Sequence, residues 1–403
     1  MLYIIGGKVM TMAGQVWDKG YLCIQNGKIR ELGPIRQDCP LSIPENKNVK
    51  VIRAEDGVII PGMIEAHCHL GIMEQDMGFE GNDCNENIEA VTPWLRAIDG
   101  INPMDPSFRE AAAAGITSAM VGPGSSNVVG GQFVFMKTRK KKAGRNVRRM
   151  DDLVVKFPAA MKIAFGENVK LNFSEQEKSP VTRMAIAACL REELYKAKQY
   201  QKKRNGEKKQ LLLSAKSTAA PDFRYECWLP VLAKEIPLKA HVHRADDILT
   251  AIRIAKEFDV LLTLDHCTEG SMIVEELAGE GYPAILGPAL GYRRKIELQN
   301  MTFDTVRDLN KAGVKTAITT DHPVSMIHTL PLCAAYAVKA GLPEEEALKS
   351  ITIYPAQICN VADRVGSLEL GKDADVVILD GPPLDVMSKV RYTIIDGEIV
   401  YQV

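Results

Sequence analysis

Seven histidines, His67, His69, His241, His243, His266, His322 and His328, fall at or just beyond the ends of strand-like runs between residues 61 and 354. A lone histidine is more often a satisfied packing residue, but so one-sided a distribution points to a single polar site. His67 and His69 flank Cys68 in IIPGMIEAHCHL. Side chains two apart on a strand share a face, so both imidazoles can reach one metal ion while Cys68 points away as a small core residue. A divalent ion lowers the pKa of water bound to it from about 15.7 to near 7 and polarises a carbonyl, which is hydrolytic chemistry at neutral pH.

The elements that must position these groups alternate along the chain. Strand-like GMIEAHCHL, ITSAMVG, PAAMKIAF, PLKAHVH, VLLTLDHC, PAILGPAL and VKTAITTDHP are interleaved with helical FREAAAAG, MAIAACLREELYKAKQY, DILTAIRIAKEF, MIVEELAGEG and VRDLNKAG. Repeated strand, helix, strand predicts an α/β chain of parallel units, and the (β/α)8 TIM-type barrel suits residues 61–354. The C-terminal strand ends of such a barrel carry its active site. A doubly wound open sheet competes, but no GxGxxG opens the first strand-to-helix turn. Residues 1–60 and 355–403 share a different texture of short alternating runs and glycine turns. Neither segment has an obvious core of its own, which predicts one small, discontinuous β-sandwich domain formed by both termini.

Composition narrows the partners. A formal charge of -1 over 403 residues creates no global field for nucleic acid or anionic lipid, and no window supplies the roughly 20 apolar residues of a membrane span. The start, MLYIIGGKVMTMAG, lacks the n- and h-regions of a secretory signal. Nine scattered cysteines with no CxxC pair suit reduced thiols. A cytoplasmic protein acting on a small molecule, without nucleic-acid or membrane partner, is the expectation. The basic runs at 137–149 and 196–209 lack interleaved aromatic residues and read as solvated loops or helix ends.

The run IIPGMIEAHCHL resembles the first-strand signature of the amidohydrolase superfamily, and GSLELGKDADVVILD resembles the return of that superfamily into its terminal β-domain. The similarity spans essentially the whole chain and is greatest to imidazolonepropionase-related and Xaa-Pro dipeptidase-like members. The resemblance implies metal ligands at His67 and His69, His241 in PLKAHVH, His266 in LTLDHC and Asp321 in AITTDHP. In two-metal members a fourth-strand lysine is carboxylated and bridges the ions; Lys162 in PAAMKIAF is its counterpart. One or two divalent ions, zinc foremost, and a homo-oligomer are implied in the same way.

The implied mechanism makes Asp321 the general base that takes a proton from water and passes it to the leaving nitrogen. His266 either completes a second metal site or stabilises the oxyanion. His243 and Arg244, Gln132 at the end of GPGSSNVVGGQ, and Arg293 in GYRRK are the candidates for substrate contact. The expected reaction is hydrolysis of an amide or cyclic amide. A heterocycle deaminase is one alternative, but Arg244 stands where such relatives carry a proton-shuttling glutamate. A non-catalytic assembly protein on the same fold is the other, and retention of every ligand speaks against it.

Overall fold

The computed structural model describes residues 1–36, 38, 41–44, 48–75, 77–139, 141–142, 145–146, 149–211 and 221–403. Its centre is an eight-stranded sheet whose neighbours follow chain order: β1 (Met63–Cys68), β2 (Ile116–Val121), β3 (Val129–Lys137), β4 (Val154–Ala164), β5 (Leu238–Val242), β6 (Leu262–His266), β7 (Ala284–Leu286) and β8 (Thr316–Ile318). The sheet curls into a nearly closed barrel. Its two ends are joined by backbone and hydroxyl donors, His69 N to His322 O at 2.8 Å and Thr319 Oγ1 to His67 O at 2.7 Å.

The barrel departs from uniform parallel units in one place. β3 runs antiparallel to both β2 and β4, whereas β1–β2 and β4 through β8 are parallel. The run GPGSSNVVGGQ, expected to be a connecting loop, is a turn only as far as Val128. Val129–Gln132 are already strand. Two glycines and two β-branched residues hid a strand whose remaining residues, the apolar FVFM and Lys137, are all buried.

Helices cover the outside as their periodicity requires. In Ala245–Phe258 the buried Ile248, Ala251, Ile252, Ala255 and Phe258 recur at helical spacing. Asp246 and Asp247 complement the amino end, and Asp259 closes the helix in the left-handed conformation at φ 55°. Complete burial of each large apolar side chain contributes about 1.5–3 kcal/mol. Inside the barrel the alternate positions are polar: Glu65, His67, Lys162, Lys239, His241 and Asp265 are all buried.

Residues from both ends of the chain form two further sheets. One has the order Lys28–Pro34, Gly20–Gln25, Leu2–Ile5, Lys50–Arg53. The other has the order Glu398–Gln402, Val390–Ile395, Val376–Leu379, Val58–Pro61, Lys8–Met10, Val16–Trp17. Leu2, Ile4, Leu22 and Ile24 of the first share a core with Ile59, Val376, Ile378 and Ile394 of the second. The helix Ile353–Ile358 sits elsewhere, its Ala356 packed with Ile64, Met120 and Phe133 of the barrel.

Of the two basic runs, the first is partly built into the sheet. Lys137, at the end of β3, is buried with Nζ 2.6 Å from Asp375 and 3.1 Å from Asp373. In the same run residues 140, 143, 144, 147 and 148 lie outside the described residues. The run at 196–209 is the end of the helix Arg183–Leu211, in line with the helix-end reading; its side chains from 207 onward are outside the described set. Among the described residues no helix is long and apolar enough to cross a membrane, and the described cysteines are free.

Candidate metal centre

Five histidines and one aspartate meet at the C-terminal mouth of the barrel. β1 delivers His67 and, just beyond its end, His69; β5 delivers His241 and, just beyond its end, His243; β6 ends on His266; Asp321 follows β8. The alternation of a strand explains the pairs: Glu65, His67 and His69, and likewise Lys239, His241 and His243, occupy every second position and face inward. His266 and Asp321 adopt left-handed backbone at φ 68° and 52°, which turns the chain where the strand stops.

Two of the histidines, His69 and His266, are hydrogen-bonded through Nδ1, and a third, His67, has its Nδ1 against a carboxylate. His67 Nδ1 lies 2.8 Å from Asp265 Oδ2, His69 Nδ1 donates to Gly122 O at 2.7 Å, and His266 Nδ1 donates to Gly287 O at 2.7 Å. Because the two carbonyl oxygens only accept, His69 and His266 carry a proton on Nδ1 and turn Nε2 toward the centre of the cluster. The Nε2 atoms of His67 and His69 face a carboxylate. Asp321 Oδ1 is 3.2 Å from His69 Nε2 and 3.5 Å from His67 Nε2, and ligand atoms of His67, His266 and Asp321 lie within 4.8 Å of one another. Both His266 Nε2 and Asp321 Oδ1 are buried without a hydrogen-bond partner. Imidazole nitrogens and a carboxylate converge here in a buried cluster, so the residues fit a divalent cation.

The electrostatics agree. Burial, reinforced by neighbouring Lys162 and Lys239, drives the His67 pKa well below its usual value; burial and nearby cationic groups do the same to His241. His266 is lowered by burial and by His241 against the pull of Asp321. Neutral imidazole is the ligating form. His69 moves the opposite way: burial lowers it, but Cys84 and Asp321 outweigh that and raise it to about 10. Asp321 is lowered, since contact with His69 and the charges of His266 and Lys162 overcome burial. Lys162 is fully buried, with Nζ 3.3 Å from His67 Nε2, and burial brings its pKa down to about 8.

Of the candidates for substrate contact, His243 alone stands in the cluster. Its Nδ1 is 2.7 Å from Thr268 Oγ1, and His241, His243 and His266 offer ligand atoms within 4.8 Å of one another. Arg244 is turned to Asp246, at 3.0 and 3.1 Å, and Arg293 is exposed with Nη2 on Met301 O. Gln132 is buried and donates to Pro93 O at 3.1 Å. His322 is buried with Nδ1 accepting from Ile327 N, and His328 is half-exposed beside Glu110.

Several residues of the site were not singled out from the sequence. Asp265, which orients His67, receives Lys239 Nζ at 3.1 Å and belongs to the alternating polar face of LTLDH, a signal that could have found it. Glu297 and Asn168 left no such signal. Glu297 lies in the short helical turn Ile296–Leu298, yet its Oε1 is 3.9 Å from His241 Nε2 and 3.8 Å from His243 Nε2. Asn168 Nδ2 is 3.4 Å from His241 Nε2, and its Oδ1 accepts from Lys295 Nζ.

The sequence model described as the Amidohydrolase family matches residues 228–400. A solved amidohydrolase structure from Thermotoga maritima MSB8 is similar over all of both chains, with 37% identity and a TM-score of 0.91. The amidohydrolase tasK of Hapsidospora irregularis is 28% identical over 95% of this chain, which spans only 40% of that protein. The imidazolonepropionase of Bacteroides fragilis is 33% identical over 34% of this chain and 33% of its own length.

Proposed function

Because the chain belongs to the amidohydrolase family, we propose that it is a metal-dependent hydrolase cleaving a carbon–nitrogen bond, an amide or a cyclic amide, in a small molecule. The observation that carries this reading is the convergence of His67, His69 and His266 on the buried carboxylate of Asp321. The ion would be held by His67, His69, His241, His266 and Asp321, zinc being suited to this nitrogen and oxygen set. Bound there, a divalent ion supplies Lewis acidity and water of lowered pKa.

The residues of the chain do the rest. Asp321 Oδ1 takes the proton of the attacking water and returns it to the leaving nitrogen. His266 has its proton on Nδ1, engaged with Gly287 O, so its Nε2 has none to give to an oxyanion and serves as a ligand. Lys162 is the candidate for carboxylation, supported by its burial beside His67 and by a pKa that leaves neutral amine available to add carbon dioxide. Deamination is the weaker reading, since Arg244, at the position of the glutamate used by deaminases, is tied to Asp246.

The division into a barrel over 61–354 and a terminal β-sandwich from 1–60 and 355–403 is part of the same proposal, supported by the core shared between the two terminal sheets. A cytoplasmic, homo-oligomeric enzyme completes it, with free cysteines in keeping with a reducing compartment.

The test is metal analysis of the purified protein together with hydrolysis of a panel of N-acyl amino acids, dipeptides and cyclic amides. We expect at least one divalent ion per chain, loss of turnover on chelation and its return on adding zinc. Full turnover by metal-stripped protein, or a protein that takes up no divalent ion, overturns the reading.

A further inference from the structure

The motifs GPGSSNVVGGQ and GYRRK meet beside the histidine cluster through side chains that the reaction above does not use. We infer that Lys295 and Ser125, joined by Asn168, form an anion subsite that holds a carboxylate of the substrate, and that Glu297 next to it accepts an N–H of the same molecule. The substrate class is thereby an N-acyl α-amino acid, in which one carbon carries both groups. The inference rests on the amide-hydrolase reading above and narrows it.

Three connections at the mouth of the barrel bring these groups together. Ser125 lies between β2 and β3, Asn168 in the first turn of the helix Glu167–Glu175 after β4, and Lys295 between β7 and β8. Lys295 Nζ donates to Asn168 Oδ1, while Asn168 Nδ2 donates to Ser125 Oγ at 2.7 Å and lies 3.4 Å from His241 Nε2. The ammonium therefore stands one carboxamide away from an imidazole of the cluster. It belongs to a half-buried side chain, and among the described residues no carboxylate pairs with it. Glu297 adjoins the same imidazole: its Oε1 is 3.9 Å from His241 Nε2 and, on a side chain 2% exposed, has no hydrogen-bond partner. Its Oε2 accepts from Glu167 N at 2.9 Å, which fixes the direction in which Oε1 points.

The chemistry of the groups selects the ligand. An ammonium has three donors, of which Asn168 takes one, and Ser125, which accepts from Asn168, keeps its own hydroxyl hydrogen to give. Those donors match the two oxygens of one carboxylate. A half-buried ammonium without a counter-ion has lost hydration, which a bound carboxylate replaces with charge-assisted hydrogen bonds. A phosphate dianion fits less well, because Glu297 and Glu167 add two carboxylates to a neighbourhood holding one such ammonium and would repel it. The unpaired Oε1 of Glu297 calls for a donor. In an N-acyl amino acid the amide N–H is attached to the very carbon that bears the carboxylate, so one molecule satisfies both demands.

The experiment sets each of a series of N-acetyl amino acids against the N-acetylamine that lacks only its carboxylate, using zinc-loaded protein. Wild type should favour the carboxylate member in kcat/KM. Lys295→Met should lower that preference about 10- to 100-fold, the contribution of a hydrogen bond to a charged group, and Ser125→Ala about 2- to 10-fold. Lys295→Arg, which keeps the cation, should restore most of it. N-Methylsulfonyl amino acids offer the N–H and the carboxylate but no cleavable amide, so calorimetry with them reports binding alone. Their N-methylated counterparts, which lack the N–H, should bind wild type about tenfold more weakly, and Glu297→Gln should narrow that difference. Thermal melts report whether each variant is folded. An unaltered preference in folded Lys295→Met overturns the inference and leaves the hydrolase intact, as does a wild type that favours the neutral member; equal binding with and without the N–H removes the role of Glu297. If no amide is cleaved, the hydrolase reading falls and the sulfonyl titrations decide: binding that depends on Lys295 keeps the subsite, and its absence removes that as well.

Discussion

Asp321 and Asp265 are both buried carboxylates beside His67, yet their tasks differ, and single amide substitutions separate them. Asp321→Asn keeps the shape and an oxygen for the ion but cannot carry a proton. Turnover on any amide the enzyme cleaves should fall about 10²- to 10⁴-fold with little change in metal content, as steady-state kinetics and elemental analysis would reveal. Near-normal turnover in a metal-loaded variant removes the proton-transfer role. Asp265 touches no open space; it holds His67 Nδ1 at 2.8 Å and is itself held by Lys239. Asp265→Asn should therefore weaken metal affinity about 10- to 100-fold, measured by competition with a chelating dye. Unchanged affinity would show that the ring of His67 needs no such support.

Connections between elements decide where Glu297 stands. Gly166, between β4 and the helix Glu167–Glu175, has φ +84°, and a Cβ there would lie 2.7 Å from Glu297 Oε2. Gly166→Ala should cost about 1–3 kcal/mol in urea denaturation and displace Glu297, whereas the same change at Gly279, inside the helix Val274–Glu280 with open space around it, should not destabilise. A Gly166→Ala protein as stable as wild type would mean the turn adapts freely. This element also shows what sequence conveys and what it omits. The strand-end histidines were legible because period-two alternation in EAHCH and KAHVH fixes a shared face. Asp321 was legible only through family resemblance. Glu297 was not legible at all, because a loop contact made 130 residues away from Glu167 has no periodic signature. The barrel was legible from its alternating elements. Its antiparallel β3 was not, because the glycines that let the strand pass Leu95 and Lys162 also mimic a turn.

For the whole molecule, the link between barrel and terminal sheets is the buried group around Lys137 at the foot of β3. Asp373 meets Lys28 at 2.6 Å, Arg364 at 2.8 Å and Lys137 at 3.1 Å, and these cations outweigh burial to hold its pKa at about 2. Asp375 has Lys137 alone and is raised by burial and by Asp396. A carboxylate lowered on folding stabilises above its unfolded pKa of about 3.9 and stops doing so as pH falls toward 2. Asp373→Asn should thus cost about 2 kcal/mol at pH 6, and the gap from wild type should close between about pH 4 and pH 2 in urea titrations. A gap independent of pH would make the contribution one of packing. The pairing of Val58–Pro61 with Val376–Leu379 has a further consequence, one of timing. During synthesis at about 5–20 residues per second, the strand at 58–61 waits roughly 15–60 seconds for its antiparallel partner. Through that interval Ile59 has only Lys8–Met10 beside it, and its open edge is exposed to other nascent chains. The fold thereby leaves this edge, far from any chemistry, open to aggregation until the end of the chain has been made.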